Sequence, residues 1–379
     1  MPKTKILKQR NFIMNVFLLI FVIVLFFVFM EIILRIITPS PKYDRDSEFV
    51  FYEYNEILGW KNKPGASGVF YIPDSESYVQ INSKGLRDEE YDYGKKEGIK
   101  RIEFYGDSFT WGYGVNEEDR FADIFGEKLN SIADNKYETI NFGTTGYGTD
   151  QQYLLLREEG LKYNPDVVVF VYHNDVGDVG RKTAYSYPKP FFIIENDELK
   201  LTNVPVPLRE GNWTEIPEAK DNRNLIFKLD SSLRFFKTYD FLRTKLIYLK
   251  IFEKFRGSVI EIDTQETLNV IEKIILESGN LCEKNNISFV VVMIPDKSQI
   301  FGSANTIEID YLDGFLDKNG INKINLLPEL KKISKNEKDI YFDIDGHFSE
   351  NGNKIVGELL LKKFTQERIL NVSEIIFLN

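Results

Sequence analysis

The N-terminal part of the chain contains a long apolar segment that a soluble domain does not readily accommodate. Residues 11–30 carry no formal charge, and most of them are Phe, Leu, Ile or Val. A helix of this length spans about 30 Å, which matches the hydrocarbon core of a bilayer. A segment that is apolar on every face is not typical of a helix packed on a soluble core. The sequence therefore predicts a transmembrane anchor over residues 11–37.

The charges on either side of this segment predict its orientation. The basic residues Lys3, Lys5, Lys8 and Arg10 precede it without any acidic residue. The positive-inside rule then makes residues 1–10 a cytoplasmic tail and places the rest of a single-pass membrane protein outside the cytoplasm. A cleaved signal peptide is the alternative. The run is longer than the usual apolar core of about 7–15 residues, and no small-x-small cleavage site follows it, so an uncleaved anchor is favoured.

Composition excludes several classes of site. The 379 residues include 58 acidic and 48 basic side chains, which gives a net charge of −10 and argues against general nucleic-acid binding. Cys282 is the single cysteine, and His173 and His347 are the two histidines. An intrachain disulfide and a Cys-rich zinc site are therefore excluded. We expect no metal and no cofactor.

The rest of the chain has the periodicity of an α/β domain. Residues 38–97 are rich in Tyr, Ser, Gly and Pro and are predicted to be a linker and an N-terminal extension with irregular structure or short strands. Buried strands are predicted over 101–105, 137–142, 166–172 and 289–294. Helical spacing of apolar residues is found over 121–132, 149–161, 263–281 and 349–364. This alternation predicts a parallel sheet covered by helices, over residues 98–379.

The alternation is interrupted by an insertion over residues 177–262. Within it, residues 232–255 mix Leu and Phe with Lys and Arg at helical spacing. Such a helix can lie on an anionic membrane surface, but it can equally pack on its own domain with a solvated basic face.

Three polar motifs directly follow the first three predicted strands. They are Gly106-Asp107-Ser108-Phe109-Thr110, Asn141-Phe142-Gly143-Thr144-Thr145-Gly146-Tyr147-Gly148 and His173-Asn174-Asp175. The carboxyl ends of parallel strands meet at one edge of a sheet, where α/β proteins bind their ligands. A serine on a tight strand-to-helix turn presents its hydroxyl as a nucleophile. Glycine N–H groups and an asparagine amide at the same edge could stabilise an oxyanion.

A general base is needed beside this serine, and the two histidines leave few choices. His347 lies in Asp343-Ile344-Asp345-Gly346-His347, just before the last predicted helix. An aspartate can accept a hydrogen bond from imidazole Nδ1 and leave Nε2 to take the serine proton. Asp345 is the favoured partner, and Asp343 is the alternative.

Taken in order, these motifs resemble the four blocks of the SGNH (GDSL) hydrolase superfamily. The resemblance covers residues 98–370 without the insertion, and it implies a flavodoxin-like three-layer α/β/α fold. It makes Ser108 the nucleophile, Gly146 and Asn174 the oxyanion donors and His347 the base. The Asp-x-His spacing of the last block resembles the alginate O-acetylation branch of the superfamily. Where the third block usually carries glycine, this chain has His173, which could line the substrate site or simply be packed and hydrogen-bonded.

The resemblance implies a serine esterase that hydrolyses acyl esters, and it favours O-acetyl groups on carbohydrate as the substrate. The substrate would be a small-molecule ester or an acylated carbohydrate. One alternative is an O-acyltransferase that works with envelope polysaccharide machinery. Others are a catalytically silent scaffold subunit of the same fold and a lipase acting at the bilayer.

Overall fold

The computed structural model describes residues 2–37, 49–133, 136–184, 187–208, 237–239, 264–302, 304 and 306–370. The chain divides into two compact units. One comprises residues 1–41 and 218–261, and the other comprises residues 42–217 and 262–379. Most of the predicted basic amphipathic segment, residues 232–255, lies outside the described residues.

The first unit is built on a long N-terminal helix, α1 (Pro2–Ile37). Its stretch Asn11–Ile36 has a mean hydropathy of 3.3 and is long and apolar enough, by length and composition, to cross a membrane. Near the end of this stretch, Glu31 accepts hydrogen bonds from Arg35 Nε at 2.7 Å and from the backbone N–H of Thr238 at 2.8 Å. Within this unit, the Glu31 carboxylate therefore links Thr238 of the insertion to α1.

The second unit is organised around a five-stranded parallel sheet. The sheet strands are β5 (Lys100–Tyr105), β6 (Tyr137–Asn141), β7 (Val167–Tyr172), β12 (Ser288–Met293) and β13 (Asn322–Asn325). They lie side by side in the order β6-β5-β7-β12-β13, which is 2-1-3-4-5 when the five are counted along the chain. That is the flavodoxin-like order, so the predicted α/β fold class is confirmed.

Helices cover both faces of the sheet. The two faces alternate along β7, where Val168 and Phe170 join one apolar core and Val169 and Val171 join the other. The first core includes residues of α4 (Thr149–Glu158), α6 (Thr264–Lys284) and α8 (Ile307–Lys318). The second core includes residues of α3 (Phe121–Ala133), α9 (Leu327–Ile333) and α10 (Glu350–Gln366). Short helices are α2 (Ser108–Trp111), α5 (Val176–Val179) and α7 (Lys297–Phe301).

The extension that precedes the sheet consists of short strands, as predicted, but it packs on the sheet domain. The strands form two antiparallel hairpins, of β1 (Tyr52–Asn55) with β2 (Gly59–Asn62) and of β3 (Ser67–Tyr71) with β4 (Glu76–Gln80). Apolar side chains of these hairpins and of the residues next to them lie in the same core as α4 and α6; they include Phe51, Trp60, Phe70, Val79 and Ile81.

Arg87, which follows these hairpins, is 1% exposed. It donates to the carbonyl oxygens of Gly112 at 2.7 Å and Val115 at 2.6 Å. The extension therefore fixes the loop that follows α2.

The first part of the insertion adds two small antiparallel pairs to the same unit. They are β8 (Thr183–Ala184) with β9 (Tyr187–Pro188) and β10 (Phe191–Glu195) with β11 (Glu198–Thr202). Lys189 between them donates to Asp150 Oδ2 at 2.6 Å, and both side chains are fully buried. Because a buried charge is costly without its partner, this pair fastens the segment to the start of α4.

Candidate active site

The nucleophile candidate, Ser108, is the first residue of α2 and follows β5 after a two-residue turn. Asp107 caps this helix, because its Oδ1 accepts from the backbone N–H of Phe109 at 2.9 Å. A Cβ on Gly106 would lie 2.0 Å from Thr110 Oγ1, so only glycine fits at the turn. The serine hydroxyl is thereby presented at the carboxyl end of β5.

Ser108, His347 and Asp345 form a continuous hydrogen-bonded chain. Ser108 Oγ lies 2.6 Å from His347 Nε2, and His347 Nδ1 lies 2.5 Å from Asp345 Oδ1. The backbone N–H of His347 donates to the same carboxylate oxygen at 2.9 Å. Asp343 is directed elsewhere, and its side chain pairs with Lys338 at 2.6 Å. The structure therefore brings Ser108, His347 and Asp345 together in the arrangement of a Ser-His-Asp triad, with Asp345 and not Asp343 against His347.

The residues around the triad hold its histidine and its acid in place. The His347 ring stacks on Tyr113 with centroids 4.4 Å apart and contacts Phe109 at 4.8 Å. Asp74 of the extension accepts the backbone N–H of Asp345 at 2.7 Å. Burial alone would raise the pKa of the Asp345 carboxyl, but the hydrogen bonds and charge of His347 outweigh burial and lower that pKa. Asp345 is therefore held as a carboxylate.

The second motif brings N–H donors next to α2. Gly146 has a φ of +76°, a conformation that favours glycine. A Cβ on Gly143 would lie 2.3 Å from the backbone nitrogen of Trp111. Only glycine at position 143 therefore allows the second motif to pack this closely against α2. Asn141 joins the two motifs, because its Nδ2 donates to the carbonyl of Thr110 at 2.7 Å.

We predict that two backbone N–H groups, those of Ser108 and Gly146, donate to a substrate oxygen. Within the described part of the chain, neither of these N–H groups donates to a backbone carbonyl of a turn or loop. An oxyanion hole requires such preorganised donors close to the nucleophile.

The third motif is anchored by two aspartates. Asp175 accepts from the backbone N–H of Thr149 at 2.7 Å and fixes this motif to the start of α4. Asn174 has a φ of +50°, and its Nδ2 donates to Asp296 Oδ2. An amide nitrogen carries two hydrogens, so one of them remains for a substrate oxygen.

The motifs resemble the four blocks of the SGNH (GDSL) hydrolases. The structure gathers these motifs at one end of a sheet with the flavodoxin-like order. What each residue does in catalysis remains a prediction from this geometry.

Comparisons with known proteins give structural likenesses only. No protein-family model and no curated protein matches the sequence. Among solved structures, the chain is similar to the acetyl xylan esterase AlAXEase (14% identity, TM-score 0.41, 69% of this chain and 98% of that one). It is also similar to the lipase/acylhydrolase from Enterococcus faecalis (14%, 0.39, 71% and 97%). A member of the lipolytic protein G-D-S-L family from Veillonella parvula is a further match (11%, 0.38, 71% and 100%). These are distant likenesses, so the chemistry of this chain is inferred from its own residues.

His173 is packed and hydrogen-bonded between two carboxylates. Its Nδ1 lies 3.0 Å from Asp107 Oδ2, and its Nε2 lies 2.9 Å from Asp296 Oδ1. Burial would lower the pKa of His173, but the charges and hydrogen bonds of Asp107 and Asp296 raise it to about 10. The side chain is therefore an imidazolium at neutral pH.

This protonation predicts how stability changes with pH. The unfolded histidine loses its proton near pH 6.5, whereas the folded one keeps it to about pH 10. Its stabilising contribution is therefore complete below about pH 6.5 and is lost between pH 6.5 and pH 10, by on the order of 1 kcal/mol per pH unit. We expect the melting temperature of the wild type to fall more steeply than that of His173→Gln over this range. Parallel melting curves would show that His173 is neutral in the folded protein.

Sequence reasoning did not find the residues that support the site. None of the three belongs to a block: Asp74 and Asp296 lie far from the motifs in sequence, and Tyr113 lies three residues after the first motif. Asp296 had a usable signal, because it follows the buried strand β12 within three residues and so lies at the functional edge of the sheet. Asp74 had none, since a loop in an irregular extension shows no periodicity.

Proposed function

We propose that this chain is a serine hydrolase of the SGNH type that cleaves acyl esters outside the cytoplasmic membrane. One observation carries the proposal. The Oγ of Ser108 lies 2.6 Å from a histidine nitrogen whose other nitrogen is held by a carboxylate. A structural serine has no need of a histidine–aspartate pair, whereas a nucleophile does.

Acylation follows from this arrangement. The Ser108 oxygen forms a bond to the acyl carbon while His347 Nε2 takes the hydroxyl proton. Negative charge then develops on the carbonyl oxygen, and the N–H groups of Ser108 and Gly146 and the Asn174 amide stabilise it. The bond to the leaving alcohol breaks, and His347 returns the proton to that alcohol.

Deacylation repeats these steps with a second nucleophile. Water gives His347 a proton and attacks the acyl-serine, which releases a carboxylic acid and restores Ser108. A sugar hydroxyl in the place of water would make the protein an O-acyltransferase. We propose hydrolysis of acyl esters, including O-acetyl groups on carbohydrate, because water needs no second binding site.

The location rests on α1 and its flanking charges. The stretch Asn11–Ile36 is long enough to span a bilayer, and basic residues precede it. The positive-inside rule then places residues 38–379 outside the cytoplasm.

One experiment tests both the chemistry and the location. The full-length protein is expressed in cells, and the intact cells are treated with a membrane-impermeant fluorophosphonate. The same protein in detergent is assayed with p-nitrophenyl acetate and longer p-nitrophenyl esters. We expect labelling of intact cells, with the probe on the peptide that contains Ser108, and hydrolysis of the esters.

Each other outcome contradicts a specific part of the proposal. Labelling only after cell lysis would overturn the location. Labelling without hydrolysis would favour a transferase that awaits its acceptor. A protein that neither reacts nor hydrolyses would be a silent member of the fold.

A further inference from the structure

A carboxylate with no role in the triad contacts the oxyanion-hole asparagine. Asp296 follows β12 at the carboxyl end of the fourth sheet strand, and its Oδ2 accepts from Asn174 Nδ2. Its backbone N–H donates to Gln299 Oε1 at 2.8 Å, which fixes the residue at the start of α7. The Asp296 side chain is 33% exposed, so it lies at the edge of the site and not in the core.

The other oxygen of Asp296 is bound by His173. His173 Nε2 lies 2.9 Å from Asp296 Oδ1, and His173 Nδ1 lies 3.0 Å from Asp107 Oδ2. Both ring nitrogens face carboxylate oxygens, which accept and cannot donate, so both nitrogens carry hydrogen. The imidazolium is thus the middle of a row of three charges that begins at the residue before the nucleophile and ends at Asp296.

This row answers two requirements of an oxyanion hole. A side-chain amide is an effective oxyanion donor only if it is held in one orientation. A freely rotating amide loses conformational entropy when it binds the oxyanion, and this loss weakens the stabilisation of the transition state. A carboxylate that holds it would, if uncompensated, repel the negative charge that develops on the substrate. Asp296 fixes the orientation of the Asn174 amide, and the positive charge of protonated His173 compensates the negative charge of Asp296.

We propose that Asp296 and His173 are positioning residues that act through Asn174. Asp296 engages one amide hydrogen of Asn174 and so directs the other at the carbonyl oxygen of the substrate. His173 fixes Asp296 relative to Asp107 and neutralises it. This inference rests on the proposed function, because it presumes that Asn174 donates to an acyl oxyanion.

A double-mutant cycle tests whether Asp296 acts through Asn174. The full-length protein in detergent carries Asn174→Ala, Asp296→Ala or both, and each form is assayed for p-nitrophenyl acetate hydrolysis. The rate of fluorophosphonate labelling is a second readout. Asn174→Ala removes one oxyanion donor, which typically costs about 10²–10³-fold in kcat. We expect Asp296→Ala to lower kcat about 10–100-fold with little change in KM, since the donor is present but not oriented.

The decisive form is the double variant. If Asp296 acts only through Asn174, the double variant is as active as Asn174→Ala alone. If the two residues act independently, the two losses multiply. A multiplied loss would overturn the inference, as would a wild-type kcat for Asp296→Ala.

Matched variants separate positioning from folding. Asp313 on α8 makes comparable contacts, with Lys323 at 2.6 Å and Asn325 Nδ2 at 3.2 Å, but it contacts no residue of the site. Asp313→Ala is expected to retain the wild-type kcat. Asp296→Asn keeps an acceptor oxygen and an N-cap side chain, so we expect its kcat to lie between wild type and Asp296→Ala. Equal losses for Asp296→Asn and Asp296→Ala, with equally lowered melting temperatures, would indicate a structural role and contradict the inference.

The failure of this inference differs from the failure of the proposed function. If hydrolysis and labelling survive Ser108→Ala, the serine mechanism is wrong. If both depend on Ser108 but the cycle is multiplicative, only the positioning role is wrong.

Discussion

Replacing Ser108 by alanine is expected to lower kcat for p-nitrophenyl acetate by roughly 10⁴-fold or more and to abolish fluorophosphonate labelling. The variant loses the oxygen that forms the acyl-enzyme, while the N–H donors of the site stay in place. What remains is the weak catalysis that an oxyanion hole gives to attack by water. The measurement is steady-state hydrolysis together with gel fluorescence of the labelled protein.

His347→Ala serves as the companion to this variant. Ser108 Oγ and His347 Nε2 are 2.6 Å apart and act in one step, so their effects are not additive. We expect the double variant to be no slower than Ser108→Ala alone. A multiplied loss would mean that the histidine assists catalysis by a route that does not involve the serine. Folding is checked by the melting temperature, which both substitutions should leave close to that of the wild type.

Asp345→Asn is expected to lower kcat by roughly 10³–10⁴-fold, because the amide removes the charge that stabilises the imidazolium and favours the wrong tautomer of His347. The side chain keeps its shape, so the 2.5 Å contact with His347 Nδ1 can persist as a weaker hydrogen bond. The loss should appear in kcat and leave KM nearly unchanged.

Asp343→Asn is the matched control, since it lies two residues earlier in the same loop. Its side chain is about half exposed and pairs with Lys338, not with His347. Exposed ion pairs contribute about 0–1 kcal/mol, so this variant should keep wild-type kcat and stability. The reverse pattern, in which Asp343→Asn is inactive and Asp345→Asn is active, would mean that the loop rearranges when substrate binds.

The extension before the sheet belongs to the site as much as the motifs do. Asp74 holds the backbone of Asp345, and Arg87 holds the loop after α2. Neither residue contacts Ser108. Asp74 fixes the loop that carries Asp345, and Arg87 fixes the loop that carries Tyr113, whose ring stacks on His347. Residues 38–97 were predicted to be a linker followed by irregular structure or short strands, and residues 52–80 contain four short strands. Their packing on the sheet could not be predicted, because the burial of Trp60 or Phe70 depends on partners distant in sequence.

Local patterns in the sequence predicted most of the sheet strands and the pairing of Ser108 with His347. β7 and β12 are buried runs made up mostly of β-branched and aromatic residues, and such runs have few alternatives to a buried strand. β13 was missed because Ile324 is the only one of its four residues that is buried. Ser108 and His347 could be paired from sequence, because a nucleophile requires a base and His173 and His347 are the only histidines.

Only the tertiary structure decided between Asp345 and Asp343 and revealed the row from Asp107 through His173 to Asp296. The sequence favoured Asp345 and left Asp343 as the alternative, and the path of the loop shows that Asp345 is the one that faces His347. The row joins residues that follow three different strands. Their separation along the chain exceeds 60 and 120 residues, so no local pattern could indicate the contacts. Parallel strands bring their carboxyl ends to one edge of the sheet, and that long-range arrangement turns separate motifs into a single site.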